Sequence, residues 1–134
     1  MFFKYKSIYT AKVDETVCGV ACLSMILKNY NSRVSIAHLR QLAKTNVEGI
    51  TALGLVKTAE KFNLNVQAVK ADMSLFEIEN LKYPFITHVV KNGELLHYYV
   101  VLGVIRNTII IADPDLSVKK RLIWRWNNEK SNTK

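Results

Sequence analysis

The chain has 134 residues, 49% hydrophobic and 22% charged, with 5 Gly, 2 Pro and a net charge of +8. That length favours one domain, 1–134, burying roughly two-thirds of its unfolded surface, and the composition excludes disordered, collagen-like and low-complexity classes. The longest apolar stretches, Tyr98–Ile105 and Thr108–Ala112, fall far short of the ~18 residues of a membrane span, and the opening Met1-Phe2-Phe3-Lys4-Tyr5-Lys6 has no signal-peptide pattern.

Residues 1–15 read as an extended, polar entry segment. From Val17, the positions Val20, Ala21, Leu23, Met25, Ile26, Leu27 and Tyr30 recur at helical spacing up to Asn31-Ser32. Thr16 is the expected N-cap, which puts Cys18 in the first turn. A second helix is expected from about Ser35 to Ala43, buried through Ile36, Leu39, Leu42 and Ala43, then a loop over Lys44–Ile50. A third, from about Thr51 to Phe62, carries Leu53, Leu55, Val56 and Ala59. After Asn63 the period shortens: Leu64, Val66, Ala68 and Lys70 alternate with Asn65, Gln67 and Val69, as in a strand. Ser74 is the expected cap of a short helix to Glu79. Strands follow at Phe85–Val90, Glu94–Gly103 and Thr108–Ala112, with turns at Asn92-Gly93 and Arg106-Asn107. Helices first and antiparallel strands after them predict an α+β fold.

Residues 119–134 set Lys119, Lys120, Arg121, Arg125, Lys130 and Lys134 against Glu129 and carry +5 of the +8. This basic tail, with Trp124 and Trp126, fits a nucleic-acid or anionic-membrane contact as well as it fits a solvated terminal face. The two cysteines, Cys18 and Cys22, stand one helical turn apart, a poor site for a disulfide, and His38, His88 and His97 show no metal-ligand spacing to them. Reduced thiols and no metal are the expectation.

A thiol in the first turn of a helix meets unpaired N–H groups and the positive end of the dipole, which favour the thiolate. Gly19 directly after Cys18 is expected to leave room for a substrate backbone. A cysteine nucleophile needs a histidine base and an orienting group distant in sequence. His97 in one expected strand and Asp113 at the end of the next supply them in the order Cys, His, Asp. Other readings stand beside this one. Cys18 could be a small core residue, as Cys22 is expected to be; His88 is a satisfied strand histidine or a rival base; and Asp113-Pro114-Asp115 could be only a turn. His38, on a surface helix, has no assigned role.

The string Val13-Asp14-x-x-x-Cys18-Gly19-x-Ala21-Cys22-Leu23-x-Met25-Ile26 resembles the active-site segment of the double-glycine leader peptidases. These are papain-like cysteine peptidase domains (peptidase family 39) on the cytosolic side of ABC-class exporters of bacteriocins and competence peptides. Six further segments agree in order: Ala37-His38-Leu39-Arg40, Glu48-Gly49-Ile50-Thr51-Ala52-Leu53-Gly54, Lys70-Ala71-Asp72-Met73-x-Leu75-Phe76, Tyr83-Pro84-Phe85-Ile86-x-His88-Val89, Leu96-His97-Tyr98-Tyr99-Val100-Val101 and Ile111-Ala112-Asp113-Pro114-Asp115. The resemblance spans about 7–118.

It implies a papain-like fold, with a helical half bearing the nucleophile helix packed on an antiparallel sheet. It further implies Cys18 as nucleophile, His97 as general base and Asp113 as orienter, cutting precursor peptides after a Gly-Gly pair. The implied leader docks as an amphipathic helix, and the cleft is narrow enough to suit glycine. No cofactor is implied for the peptidase domain (ATP serves the transporter part), no metal and no nucleic acid. The implied setting is the cytoplasm or the cytoplasmic face of the membrane beside a transporter, and the isolated domain is expected to be a monomer. Two positions depart from the family. Its oxyanion-hole glutamine, which acts with the Cys18 backbone N–H, is Lys12 here, and its aspartate before the cysteine is Val17. An impaired domain that binds leaders without cutting them is the alternative these departures raise, and a basic nucleic-acid binder rests only on the tail.

Overall fold

The computed structural model describes residues 9, 18–43, 50–91, 94–105, 108–114 and 123–127, of which 73, 89–91, 94–97 and 123–127 are described by backbone alone. These residues form α1 (Cys18–Asn29), α2 (Ile36–Ala43), α3 (Ala52–Glu60), a 3₁₀ turn at Met73–Glu77, and strands β1 (Phe85–Lys91), β2 (Glu94–Ile105), β3 (Thr108–Ala112) and β4 (Ile123–Asn127). The α+β class expected from the order of elements is the one found. None of the described helices is long and apolar enough to cross a membrane.

Every residue of α1 from Cys18 to Leu27 is buried. A helix that is apolar or small on all sides belongs in an interior, and α1 lies against β1 and β2 on one side and α2 and α3 on the other. It ends where Asn31 adopts φ 63°. There the Asn31 N–H donates to the Lys28 carbonyl at 3.0 Å and the Ser32 N–H to the Leu27 carbonyl at 2.8 Å. Asparagine tolerates this left-handed conformation, and the two bonds satisfy carbonyls that the last turn leaves open. Asn63 closes α3 in the same way, with φ 64° and the Leu64 N–H on the Ala59 carbonyl at 3.4 Å.

The other helices have side-chain caps. The Ser35 hydroxyl accepts from the His38 N–H at 3.1 Å, and the Thr51 hydroxyl accepts from the Gly54 N–H at 3.0 Å. Buried Thr58 donates to the Gly54 carbonyl at 2.7 Å, which spares it an unpaired hydroxyl. Leu39, Leu55 and Ala59 reach the core, whereas Leu53 is 63% exposed. His38 is exposed, as expected of a surface helix.

Two expectations between the helices and the sheet need correction. Residues 64–70 form no strand: Leu64 and Val66 pack against the core, but 67–72 are exposed and unpaired with the sheet. The alternation reflected two apolar anchors after a helix end rather than a ladder. The expected helix Ser74–Glu79 is a 3₁₀ turn capped by Asp72, whose carboxylate accepts from the Ser74 N–H at 2.9 Å and the Ser74 hydroxyl at 2.6 Å. These bonds, the side-chain one foremost, lower the Asp72 pKa.

The sheet has the order β1-β2-β3-β4, with each neighbouring pair antiparallel. Tyr98, Val100, Leu102, Ile110 and Ala112 face α1, while Val101, Ile109 and Ile111 form a second cluster with Phe76, Tyr83, Phe85 and Tyr99. A sheet covered on both faces explains why β2 and β3 read as continuous apolar runs. The expected turns at 92–93 and 106–107 lie outside the described residues. The region 119–134, read as a basic tail, contributes β4, which pairs Ile109 with Trp126 and Ile111 with Trp124.

Candidate active site

Cys18 begins the described part of α1 and is 8% exposed; Cys22, one turn on, is fully buried, and both are reduced. Burial first, then the charges of Cys18 and Asp113, raise the Cys22 thiol well above its ordinary pKa. Cys22 is therefore a neutral core thiol, and its response places Cys18 and Asp113 in its electrostatic neighbourhood.

Asp113 follows the last residue of β3 and is 7% exposed. Its backbone carbonyl accepts from the Tyr9 hydroxyl at 2.6 Å, which ties the entry segment to the end of the strand. A solvated turn would leave the carboxylate in water; here Asp113 is buried and acts electrostatically on Cys22 of α1. His97 lies in β2 opposite Val89, the last pair before an irregularity between Val89 and Val90. Such bulges are common beside active sites, where they break strict side-chain alternation. The structure thus brings Asp113 within electrostatic reach of Cys22, with the strand that carries His97 packed on the same helix. Lys12, Thr16 and Val17 lie outside the described residues.

His88 pairs with Tyr98 across β1 and β2, and their rings stack at 3.9 Å with an interplanar angle of 15°. Burial lowers the His88 pKa and keeps the ring neutral near pH 7. Of its two open readings, the packed strand histidine is the one this geometry describes.

Gly19 does not leave a gap for substrate, which corrects the expectation. A Cβ there would collide with Ile50 Cγ2 and stand 3.1 and 3.2 Å from Tyr98 Cδ2 and Cε2. The glycine is required by a close approach of Ile50 and β2 to α1. Ile50 and Tyr98 stand in two of the segments that carry the resemblance, beside Gly49 and His97, but nothing in the sequence assigns them a place in the site. The Tyr98 hydroxyl donates to the Ile50 carbonyl at 3.0 Å.

Burial, and then Cys18 and Cys22, push the Tyr98 pKa up to about 12 from an ordinary 10.0. A raised folded pKa gives stability that is complete below the unfolded value and lost as pH climbs through the folded one. Unfolding midpoints in urea should therefore fall between about pH 10 and about pH 12, and Tyr98→Phe should flatten that fall. A slope as steep in Tyr98→Phe as in the parent would refute the assignment.

Among the described residues, no three His, Cys, Asp or Glu side chains are grouped so that they could hold a metal ion.

Residues 6–130 match the Peptidase C39 family. The chain is 53% identical over 114 residues to the transport/processing ATP-binding protein ComA of Streptococcus pneumoniae, covering 85% of this chain and 16% of that protein. It is 54% identical over 116 residues to the pediocin PA-1 transport/processing ATP-binding protein PedD of Pediococcus acidilactici, covering 87% of this chain and 16% of that one. The chain thus spans about one-sixth of the length of these relatives. In structure it is similar to the crystallised peptidase domain of Streptococcus ComA, with a TM-score of 0.83, 45% identity and coverage of 93% of this chain and 89% of that one. A match over nearly the whole sequence and a solved peptidase domain of the same shape agree: the chain belongs to the Peptidase C39 family.

Proposed function

We propose that the chain is a papain-like cysteine peptidase that removes the leaders of secreted precursor peptides after a Gly-Gly pair, at the cytoplasmic face of an ABC-class exporter. The observation that carries this reading is that Cys18, at the start of a buried helix, and buried Asp113 both act electrostatically on Cys22, with the His97-bearing strand packed on the same helix. The names of the relatives, ComA, a bifunctional ABC transporter involved in a quorum-sensing pathway, and a transport/processing protein for pediocin PA-1, support the substrate class.

In this mechanism Cys18 gives its proton to His97, and the helix N-terminus favours the resulting thiolate. The sulfur attacks the carbonyl carbon of the second glycine, and the oxyanion is met by the Cys18 backbone N–H and by Lys12. Collapse expels the following amine, which takes the proton from His97, and leaves a thioester on Cys18. Water, deprotonated by His97, hydrolyses that thioester and releases the leader acid and the free thiol. Asp113 orients the imidazole and stabilises its charged form. The peptidase part uses no metal or organic cofactor and acts as a monomer when isolated. Incubation with a synthetic Gly-Gly leader peptide tests the proposal: a single cut after the second glycine is expected, and an intact peptide refutes it.

Lys12 is where turnover should be limited. An oxyanion donor must already point at the developing charge, and a lysine ammonium is a point charge on a flexible stem rather than a fixed amide. Lys12→Gln should raise kcat at least about tenfold, or ~1.4 kcal/mol of barrier, with little change in KM. A variant no faster than the parent would show that Lys12 already serves as donor or that the limit lies elsewhere, with Val17 the next position to test.

A further inference from the structure

The ring of Tyr98 is fixed from three directions. Its hydroxyl donates to the Ile50 carbonyl at 3.0 Å, in the interior. One face is covered by the stacked ring of His88 at 3.9 Å. Its Cδ2–Cε2 edge lies against Gly19 so closely that a methyl there would stand 3.1 and 3.2 Å away. The two residues in contact, Gly19 and Tyr98, are each one peptide unit from a member of the proposed reacting pair, Cys18 and His97. No side chain intervenes on the helix side, because Gly19 has none.

We propose that Tyr98 is a positioning residue: a rigid spacer that sets the distance between the Cys18 backbone on α1 and the His97 backbone on β2. The inference rests on the reading of Cys18 and His97 as nucleophile and base. A buried tyrosine hydroxyl needs a partner in any role; what marks Tyr98 is that its partner, Ile50, and its stacked neighbour, His88, together hold the ring edge against Gly19. Here the anchor on Ile50 stops the ring from sliding along the helix, and the His88 stack stops it from tilting away from Gly19. A catalytic pair misplaced by about 1 Å loses about 10²-fold in rate, so the first turn of α1 and the His97 strand need a stiff contact between them. Position 19 must be glycine chiefly because a Cβ there would collide with Ile50 Cγ2, and the Tyr98 ring edge at 3.1 and 3.2 Å adds a lesser restraint.

Tyr98→Phe tests this, because it retains the ring and the His88 stack and removes only the anchor. Two readouts separate positioning from bulk stability. The first is steady-state cleavage of a Gly-Gly leader peptide, in which kcat should fall at least about threefold with KM within about twofold. The second is the pH profile of Cys18 alkylation by iodoacetamide, which needs no peptide. A looser thiol–imidazole pair should cut the labelling rate at about pH 6 at least threefold relative to the parent. Parental kcat and a parental alkylation profile in Tyr98→Phe overturn the proposal, whatever happens to its melting temperature. If that variant does not fold, His88→Ala decides on the same two readouts, since it removes the stacked ring and leaves the Tyr98 anchor on Ile50 in place. Full turnover in His97→Ala overturns the underlying pair and this proposal with it. A silent Tyr98→Phe beside a dead His97→Ala overturns this proposal alone.

Discussion

Replacing Cys18 with alanine should abolish cleavage of a Gly-Gly leader peptide, a loss of ~10⁴-fold or more in kcat, while peptide binding survives. Binding should persist because leader docking depends chiefly on apolar contacts made away from the thiol. A companion experiment reads the chemistry directly: iodoacetamide at neutral pH should modify Cys18 well before Cys22. The two thiols share one helix and differ in surroundings. Cys22 is fully buried and held neutral by desolvation and by the neighbouring charges of Cys18 and Asp113. Cys18 sits in the first turn, where open N–H groups stabilise negative sulfur. Equal labelling of both, or an active Cys18→Ala, would remove Cys18 from the proposed role.

Elements whose burial has one simple period were legible in the sequence. α1 declared itself by dense apolar spacing and ended at an asparagine suited to positive φ, and the three strands from β1 to β3 fell where β-rich runs lie between turn residues. The segment after Asn63 misled because Leu64 and Val66 mimic a strand with only two anchored positions. β4 was hidden by its charge: Arg125 and its basic neighbours suggested a solvated tail, although its tryptophans stand in the ladder opposite Ile109 and Ile111. In the candidate site, the separate types were readable but the contacts were not. Nothing local announces that Ile50 and Tyr98 converge on Gly19, since that depends on how α1, the start of α3 and β2 pack together.

Two histidines compete for the role of base, and single substitutions should separate them cleanly. His97→Ala should abolish turnover, and Asp113→Asn should lower kcat by about 10²-fold or more with KM little changed, because an amide cannot stabilise the imidazolium or fix its tautomer as a carboxylate does. Asparagine is preferred to alanine there because Asp113 is 7% exposed, and a cavity would confound the comparison. His88→Ala should behave differently. Its ring is packed on Tyr98 at 3.9 Å, and burial disfavours the charged form that a proton-shuttling base must pass through. Removing it deletes an aromatic stack of about 0.5–1.5 kcal/mol and one restraint on Tyr98, so the unfolding midpoint should fall while kcat drops only a few-fold, as in Tyr98→Phe, rather than being abolished. Cleavage rates for the three variants, measured beside their urea midpoints, decide the matter. A folded but inactive His88→Ala together with an active His97→Ala would move the base to β1 and leave Asp113 without its proposed partner.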